Sequence, residues 1–219
     1  MIHIYGLLFI LFMEIDRFIF IFNNNKIYVE LASKIVSLVH SFLITYYSVL
    51  YLLDIYDDIT YTSKFYITYS YLIYDIILIT YYHKYFASEY KFTIIHHVSF
   101  ILGLYYTLNY KLAAQCLLAE ITNPFLYFGW LLVKINKNNT FIFKVNGILL
   151  YVLFFIFRFC NMGYLNYIGF FTNTQNILYI EKICILFLFL LNANWFRLLS
   201  LKFINMFKVE KVEKVKKIE

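Results

Sequence analysis

Proline occurs once in 219 residues and glycine only six times. No Pro-, Gly- or Ser-rich stretch divides the chain, so one domain is expected. Charge is equally scarce: Asp, Glu, Lys and Arg make up 15% of the residues while apolar residues make up 63%. Soluble domains carry roughly 25% charged residues, and a soluble core of this length cannot hide so much apolar surface, whereas a bilayer can. The scarcity of charge therefore excludes a soluble globular domain. Cysteine appears three times, as Cys116, Cys160 and Cys184, each inside an apolar segment. Their spacing builds neither a zinc ligand set nor a disulfide framework, so they are expected to pack or to face lipid. Small residues of a cleavage site are missing after the apolar run Ile4 to Met13, where Glu14, Asp16 and Arg17 follow. That run is expected to be a retained first helix and not a cleaved signal.

What is present is a succession of long apolar runs. A spanning helix needs about 20 mostly apolar residues at about 1.5 Å rise each, and seven stretches qualify: 2–22, 31–53, 65–82, 92–109, 112–133, 141–165 and 177–201. Short polar connectors separate them. The expected fold is an all-α membrane protein, a bundle of about seven transmembrane helices, with an N-terminal membrane helix and linker over 1–30, a core domain over 31–208 and a basic cytosolic tail over 209–219. The net charge of +6 does not point to nucleic acid, because the positive residues lie at the ends of apolar spans and in the tail. With seven spans and the C-terminus in the cytosol, Lys64, Lys111 and Lys182 fall on the lumenal side and Arg158 within a span, and every other Lys and Arg is cytosolic. This asymmetry supports the orientation.

Polar residues inside such spans need a reason, because desolvating a charge there costs about 2.5 to 3.5 kcal/mol even on the gentler insertion scales. Counting about 1.5 Å per residue from the span ends places two layers. His40, Asp75, His96, His97, Asn192 and Asn194 form one on the cytosolic side. Glu120 and Arg158 form the other on the lumenal side and make the best candidate ion pair. Asn123 follows Glu120 by three residues and so shares its helix face, and Pro124 removes a backbone donor and bends the span. His96 and His97 are adjacent and point about 100 degrees apart, so they cannot chelate one metal from one face. No metal or other cofactor is expected. One of the two histidines facing inward as base or nucleophile, with Asp75 fixing its tautomer, is the more natural reading. A structural hydrogen bond to a neighbouring helix stands beside it as the alternative.

In order along the chain, ELASKIVSLVHSFLITYY (30–47, with Ser37 and His40), YLIYDIIL (71–78, with Asp75), IHHVSFILGLYY (95–106), LAEITNPFLYFGWLL (118–132), FFIFRF (154–159) and LNANWF (191–196) resemble the conserved blocks of the TLC-domain membrane proteins. That family includes ceramide synthases and translocation-associated membrane proteins. The resemblance implies six core helices around a lipid-sized cavity, with the first span outside that core. In the ceramide synthase branch, paired histidines and a following pair of aspartates carry acyl transfer from acyl-CoA to a sphingoid base. The histidines match His96 and His97. Where the H-D-x-x-D element would fall, the chain reads Ala119, Glu120, Ile121, Thr122, Asn123. This version is similar to the TLC-domain-containing branch, associated with membrane lipid composition.

Two functions follow as expectations. One is a membrane protein that binds or handles lipid, its polar residues shaping a cavity for a head group. The other is a lipid acyltransferase that takes acyl-CoA, with His96 or His97 and Asp75 as the working group. The final Lys216-Lys217-Ile218-Glu219 fits the dilysine pattern of endoplasmic reticulum retrieval, which requires a cytosolic C-terminus.

Overall fold

Ser33, Ser37, His40, Ser41 and Ser48 recur at the three- and four-residue spacing of one helix face. Helix α1 (Lys26–Leu52) forms with that stripe buried, while Val39, Phe42, Tyr46 and Val49 on its other side are exposed. Polar inside and apolar outside is the pattern of a helix whose solvent is lipid, where backbone groups must be satisfied within the segment. The computed structural model describes residue 14 and residues 26–86, 90–172 and 177–215. Every regular element among the described residues is helical.

After α1 come α2 (Asp58–Thr62), α3 (Phe65–Tyr81), a 3₁₀ turn at His83–Tyr85, α4 (Tyr90–Tyr106) and α5 (Tyr110–Leu117). A 3₁₀ segment, Leu118–Thr122, leads into α6 (Asn123–Lys134), and α7 (Phe141–Leu153) runs through a π segment, Phe154–Cys160, into α8 (Asn161–Phe171). The last helix is α9 (Tyr179–Val215). Among the described residues, four stretches are long and apolar enough to cross a membrane: Val29–Leu52, Tyr110–Lys134, Phe141–Phe171 and Tyr179–Ile204. Helices α3 and α4 have 17 residues each. The apolar run at 2–22, apart from Glu14, and the segment 216–219 lie outside the described residues.

Two features depart from the expected pattern. The polar connector after α1 holds the short helix α2, because the exposed Asp57 caps it by accepting the Thr60 amide at 2.8 Å. Hydrogen bonds from the Thr60 hydroxyl and amide hold the Asp57 carboxyl below the usual carboxylate range. The span expected at 112–133 with a bend at Pro124 is interrupted by the 3₁₀ segment, and the span expected at 141–165 by the π segment.

Helix α1 packs against α5, the 3₁₀ segment, α6 and α3, and α9 lies along α4 and α8 and against the π segment. The largest buried cluster includes Ile44, Tyr51, Tyr61, Phe65, Leu72, Tyr74, Leu117 and Leu188. In it Tyr61 stacks on Tyr51 at 4.2 Å and its hydroxyl meets Ser48 at 3.0 Å, so a large polar ring is buried with its oxygen satisfied. Near the start of α1, Lys34 lies over the Trp130 ring at 4.7 Å, and Lys134 pairs with Glu30 at 2.9 Å. These contacts tie α1 to α6.

Candidate functional site

The single proline governs the polar interior. In a regular α-helix the amide of residue 124 would bond to the Glu120 carbonyl, but Pro124 has none. The Glu120 carbonyl accepts instead from the Asn123 amide, a 3₁₀ bond, and Pro124 enters the first turn of α6 where its missing donor costs nothing. Asn123 has thereby abandoned the Ala119 carbonyl. That oxygen is taken by the Thr122 hydroxyl at 2.9 Å and by Arg158 Nε at 3.1 Å. The backbone break thus creates the acceptor that holds the arginine.

Arg158 stands in the π segment, a widened turn of the kind that recurs at functional sites. Its guanidinium bonds to three helical elements, the 3₁₀ segment, α6 and α9. Nε also donates to Thr122 Oγ1 at 2.7 Å, Nη2 to Asn123 Oδ1 at 2.7 Å and Nη1 to Asn192 Oδ1 at 3.4 Å. Glu120 Oε1 lies 3.7 Å from Nη2, too long for a direct hydrogen bond. Asn123 bridges the two charges, since its Nδ2 donates to Glu120 Oε2 at 2.7 Å. Ser41 donates to the same oxygen at 3.3 Å. Glu120, Asn123, Arg158 and Asn192 are all buried.

The second group is a carboxylate and an imidazole. His97 Nε2 lies 2.7 Å from Asp75 Oδ2, and Ser33 donates to Asp75 Oδ1 at 3.1 Å. A carboxylate only accepts, so the shared proton belongs to Nε2, and in the neutral imidazole His97 Nδ1 keeps a lone pair. That Nδ1 is buried without a hydrogen-bond partner among the described residues, and so is His96 Nδ1. The His96 ring sits among Phe100 at 5.1 Å, Trp195 at 5.2 Å and His97 at 5.6 Å. With the proton on Nε2, as the Asp75 contact sets it for His97, a neutral imidazole presents its bare Nδ1 to receive a donor, or to take a proton from one.

His40 joins the two groups. Its ring stacks on Tyr71 at 4.1 Å, Tyr71 packs edge-on to His97 at 5.8 Å, and its Nδ1 lies 3.7 Å from Glu120 Oε2. Its Nε2 meets Thr68 Oγ1 at 3.2 Å. The expected separation of Glu120 from the His40 layer is therefore corrected: the interior polar residues form one network. Depth counting assumed straight α-helices, but a 3₁₀ residue rises about 2 Å and spans tilt. Asn194 is also corrected. It is exposed and bonded to Arg197 at 3.2 Å, while Asn192, two residues earlier, faces the interior.

Several members of the network were not anticipated as site residues: Ser33, Ser41, Thr68, Tyr71 and Thr122. For Ser33 and Ser41 the signal was the run of small polar residues on one face of α1. Among the described residues no group of three His, Cys, Asp or Glu side chains converges as a metal site. If Pro124 drives the rearrangement, Pro124→Ala should return the Asn123 amide to Ala119 and displace Arg158. The expected cost is about 1–2 kcal/mol, read as a lower unfolding midpoint in detergent. An unchanged midpoint would show that the break does not depend on proline.

Residues 30–203 match the TLC domain family. Over 70 residues the chain is 37% identical to TLC domain-containing protein 4 A of Dictyostelium discoideum, a stretch that is 29% of this chain and 27% of that protein. The chain therefore matches only about a quarter of that relative's length. No solved structure matches the chain. A match over 30–203, on a helical chain with four stretches fit to cross a membrane and the paired histidines buried among them, means that this protein belongs to the TLC-domain family of membrane proteins.

Proposed function

We propose that the protein binds membrane lipid between its helices and in this way influences membrane lipid composition, sensing or trafficking. The observation that carries this reading is the pair of bare nitrogens, His96 Nδ1 and His97 Nδ1, both buried and both without a partner. An acceptor left unsatisfied in a dry interior is costly. A lipid hydroxyl, amide or amine would satisfy it. On this reading α3 and α4 also span the bilayer, the run at 2–22 adds a seventh span outside six core helices, and the C-terminus is cytosolic in the endoplasmic reticulum membrane. The charge asymmetry along the sequence supports that topology.

Native mass spectrometry of protein extracted gently from membranes tests the reading. Wild type should carry about one lipid per chain, and His96→Ala should lose most of it at equal folded yield. A wild-type protein free of lipid above detergent background would sink the proposal.

A second reading is favoured by the 2.7 Å contact between Asp75 and His97. Here His97 Nδ1 takes the proton of an acceptor hydroxyl or amine as that group attacks an acyl thioester such as acyl-CoA, and the thiolate leaves. Labelled acyl-CoA should then yield transferred label that vanishes in His97→Ala. A wild type that neither transfers nor hydrolyses label while holding its lipid removes this reading and keeps the first.

A further inference from the structure

Three charged side chains meet one indole where α1 packs on α6. Lys134 Nζ lies 5.5 Å from the centre of the Trp130 ring and Lys34 Nζ 4.7 Å, and Lys34 also lies 5.8 Å from the Tyr127 ring. The third, Glu30, pairs with Lys134 at 2.9 Å. Lys34 is left over. Among the described residues no carboxylate pairs with its ammonium and no acceptor takes its hydrogens. Both oxygens of Asp75, the next carboxylate inward, are occupied, Oδ1 by Ser33 and Oδ2 by His97. The aromatic faces attract the charge but are poor substitutes for an oxygen acceptor. An ammonium carries three N–H donors, and donors withdrawn from water need acceptors. Lys34 is half-buried, so its ammonium is held in place without being sealed off.

The position of Lys34 ties it to the histidines. Ser33, the residue before it, shares the Asp75 carboxylate with His97. Lys34 therefore stands at the level of His97, about 6 Å further along α1 than Glu30. A ligand that donates an O–H or N–H to an imidazole Nδ1 lies within the same layer, and Lys34 asks of it a negatively charged acceptor.

These two demands select the head group. An ionised fatty acid has the anion but no donor. A lipid headed by a bare amine has the donor, but its positive charge is repelled by the ammonium. A phosphate ester that also carries a free hydroxyl or amine meets both demands, and lysine binds phosphate as a point charge. We propose that Lys34 binds the phosphate of the ligand whose O–H or N–H meets His96 or His97. The proposal rests on the lipid-binding reading, leaves the donor of the head group on the histidines, and names the second group that the head must carry. Two molecules bring such a phosphate: a phospholipid, and the coenzyme A of an acyl thioester.

The test uses the full chain in a phosphate-free maltoside detergent with three probes: monooleoylglycerol, its phosphate ester and oleoyl-CoA. The first two differ only in the phosphate, and both keep a free hydroxyl. Occupancy is read by native mass spectrometry as each probe is titrated. Wild type should bind the phosphate ester about tenfold or more tightly than monooleoylglycerol, as one charge-assisted contact allows. Lys34→Gln should abolish that preference while monooleoylglycerol binds as before, which also shows that the variant is folded. Lys34→Met answers the same question if Lys34→Gln does not fold. Lys34→Arg keeps the charge and should keep most of the preference. If Lys34→Gln weakens oleoyl-CoA alone, the phosphate is that of the thioester and the acyltransferase reading gains. A wild type that binds both glycerol lipids equally, with oleoyl-CoA indifferent to Lys34→Gln, overturns the proposal, and so does a preference that survives in Lys34→Gln and Lys34→Met. If monooleoylglycerol binds wild type and is lost in His96→Ala while Lys34 makes no difference to any probe, the lipid reading stands without this proposal. A wild type that binds none of the three defeats the reading itself.

Discussion

Arg158→Ala is expected to destabilise the protein more than any other single substitution in the interior, by about 3–5 kcal/mol. The side chain satisfies the Ala119 carbonyl, Thr122 Oγ1, Asn123 Oδ1 and Asn192 Oδ1 together, and it faces the buried Glu120 carboxylate at 3.7 Å. Removing it takes a donor from four acceptors, though the Ala119 carbonyl keeps the Thr122 hydroxyl, and leaves the buried Glu120 charge uncompensated. The readout is the unfolding midpoint in a mild detergent, where the loss should appear as a drop of roughly 10 °C. Arg158→Lys keeps the charge but not the planar fork, because a single ammonium cannot reach acceptors on three sides. It should recover less than half of the loss. A double-mutant cycle with Glu120→Gln isolates the coupling between the charges. Strictly additive losses would show that Asn123 bridges no energy between them, and a harmless Arg158→Ala would dissolve the network as described.

Asp75→Asn is expected to have the largest functional effect while leaving the fold intact. The amide is isosteric and can still accept the Ser33 hydroxyl that now meets Asp75 at 3.1 Å. What changes is the tautomer of His97. An amide can turn its NH₂ toward Nε2, which moves the imidazole proton to Nδ1 and makes that nitrogen a donor. A lipid that donates to Nδ1 then loses its acceptor, and bound lipid should fall about tenfold, the worth of one hydrogen bond to a buried group. If wild type transfers acyl label, transfer should fall further, by about 10²- to 10⁴-fold, the usual contribution of a positioned base. Folded yield should stay near that of wild type. Unchanged lipid occupancy at full yield would separate Asp75 from ligand binding and leave it a helix-to-helix contact between α3, α4 and α1.

The path from sequence to site was uneven, for identifiable reasons. The stretch expected at 65–82 forms α3 over Phe65–Tyr81, because polar residues, Lys64 and His83, bound a mostly apolar run. The stretch expected at 112–133 was correctly placed but not correctly shaped. Pro124 announces a lost hydrogen bond, yet the sequence does not say which carbonyl is freed or what takes it. The answer came from Arg158, 34 positions further along, whose guanidinium reaches Ala119 across the bundle. Asn192 and Asn194 show a second limit. In water the apolar face of a helix marks its inside, but in lipid both faces are apolar, so periodicity gives no orientation. Only the packing of α9 shows that Asn192 turns inward and Asn194 outward.

Composition and run length alone determine a helical membrane protein, and the order of short motifs alone assigns its family. These are properties of segments, and a segment's transfer into lipid depends on its own residues. Which polar groups meet depends on how segments cross. His40 reaches Glu120 because α1 packs on the 3₁₀ segment, and His97 reaches Asp75 because α4 packs on α3. The bare nitrogens of His96 and His97 belong to the same class of fact. Each is defined by a partner that none of the described residues supplies.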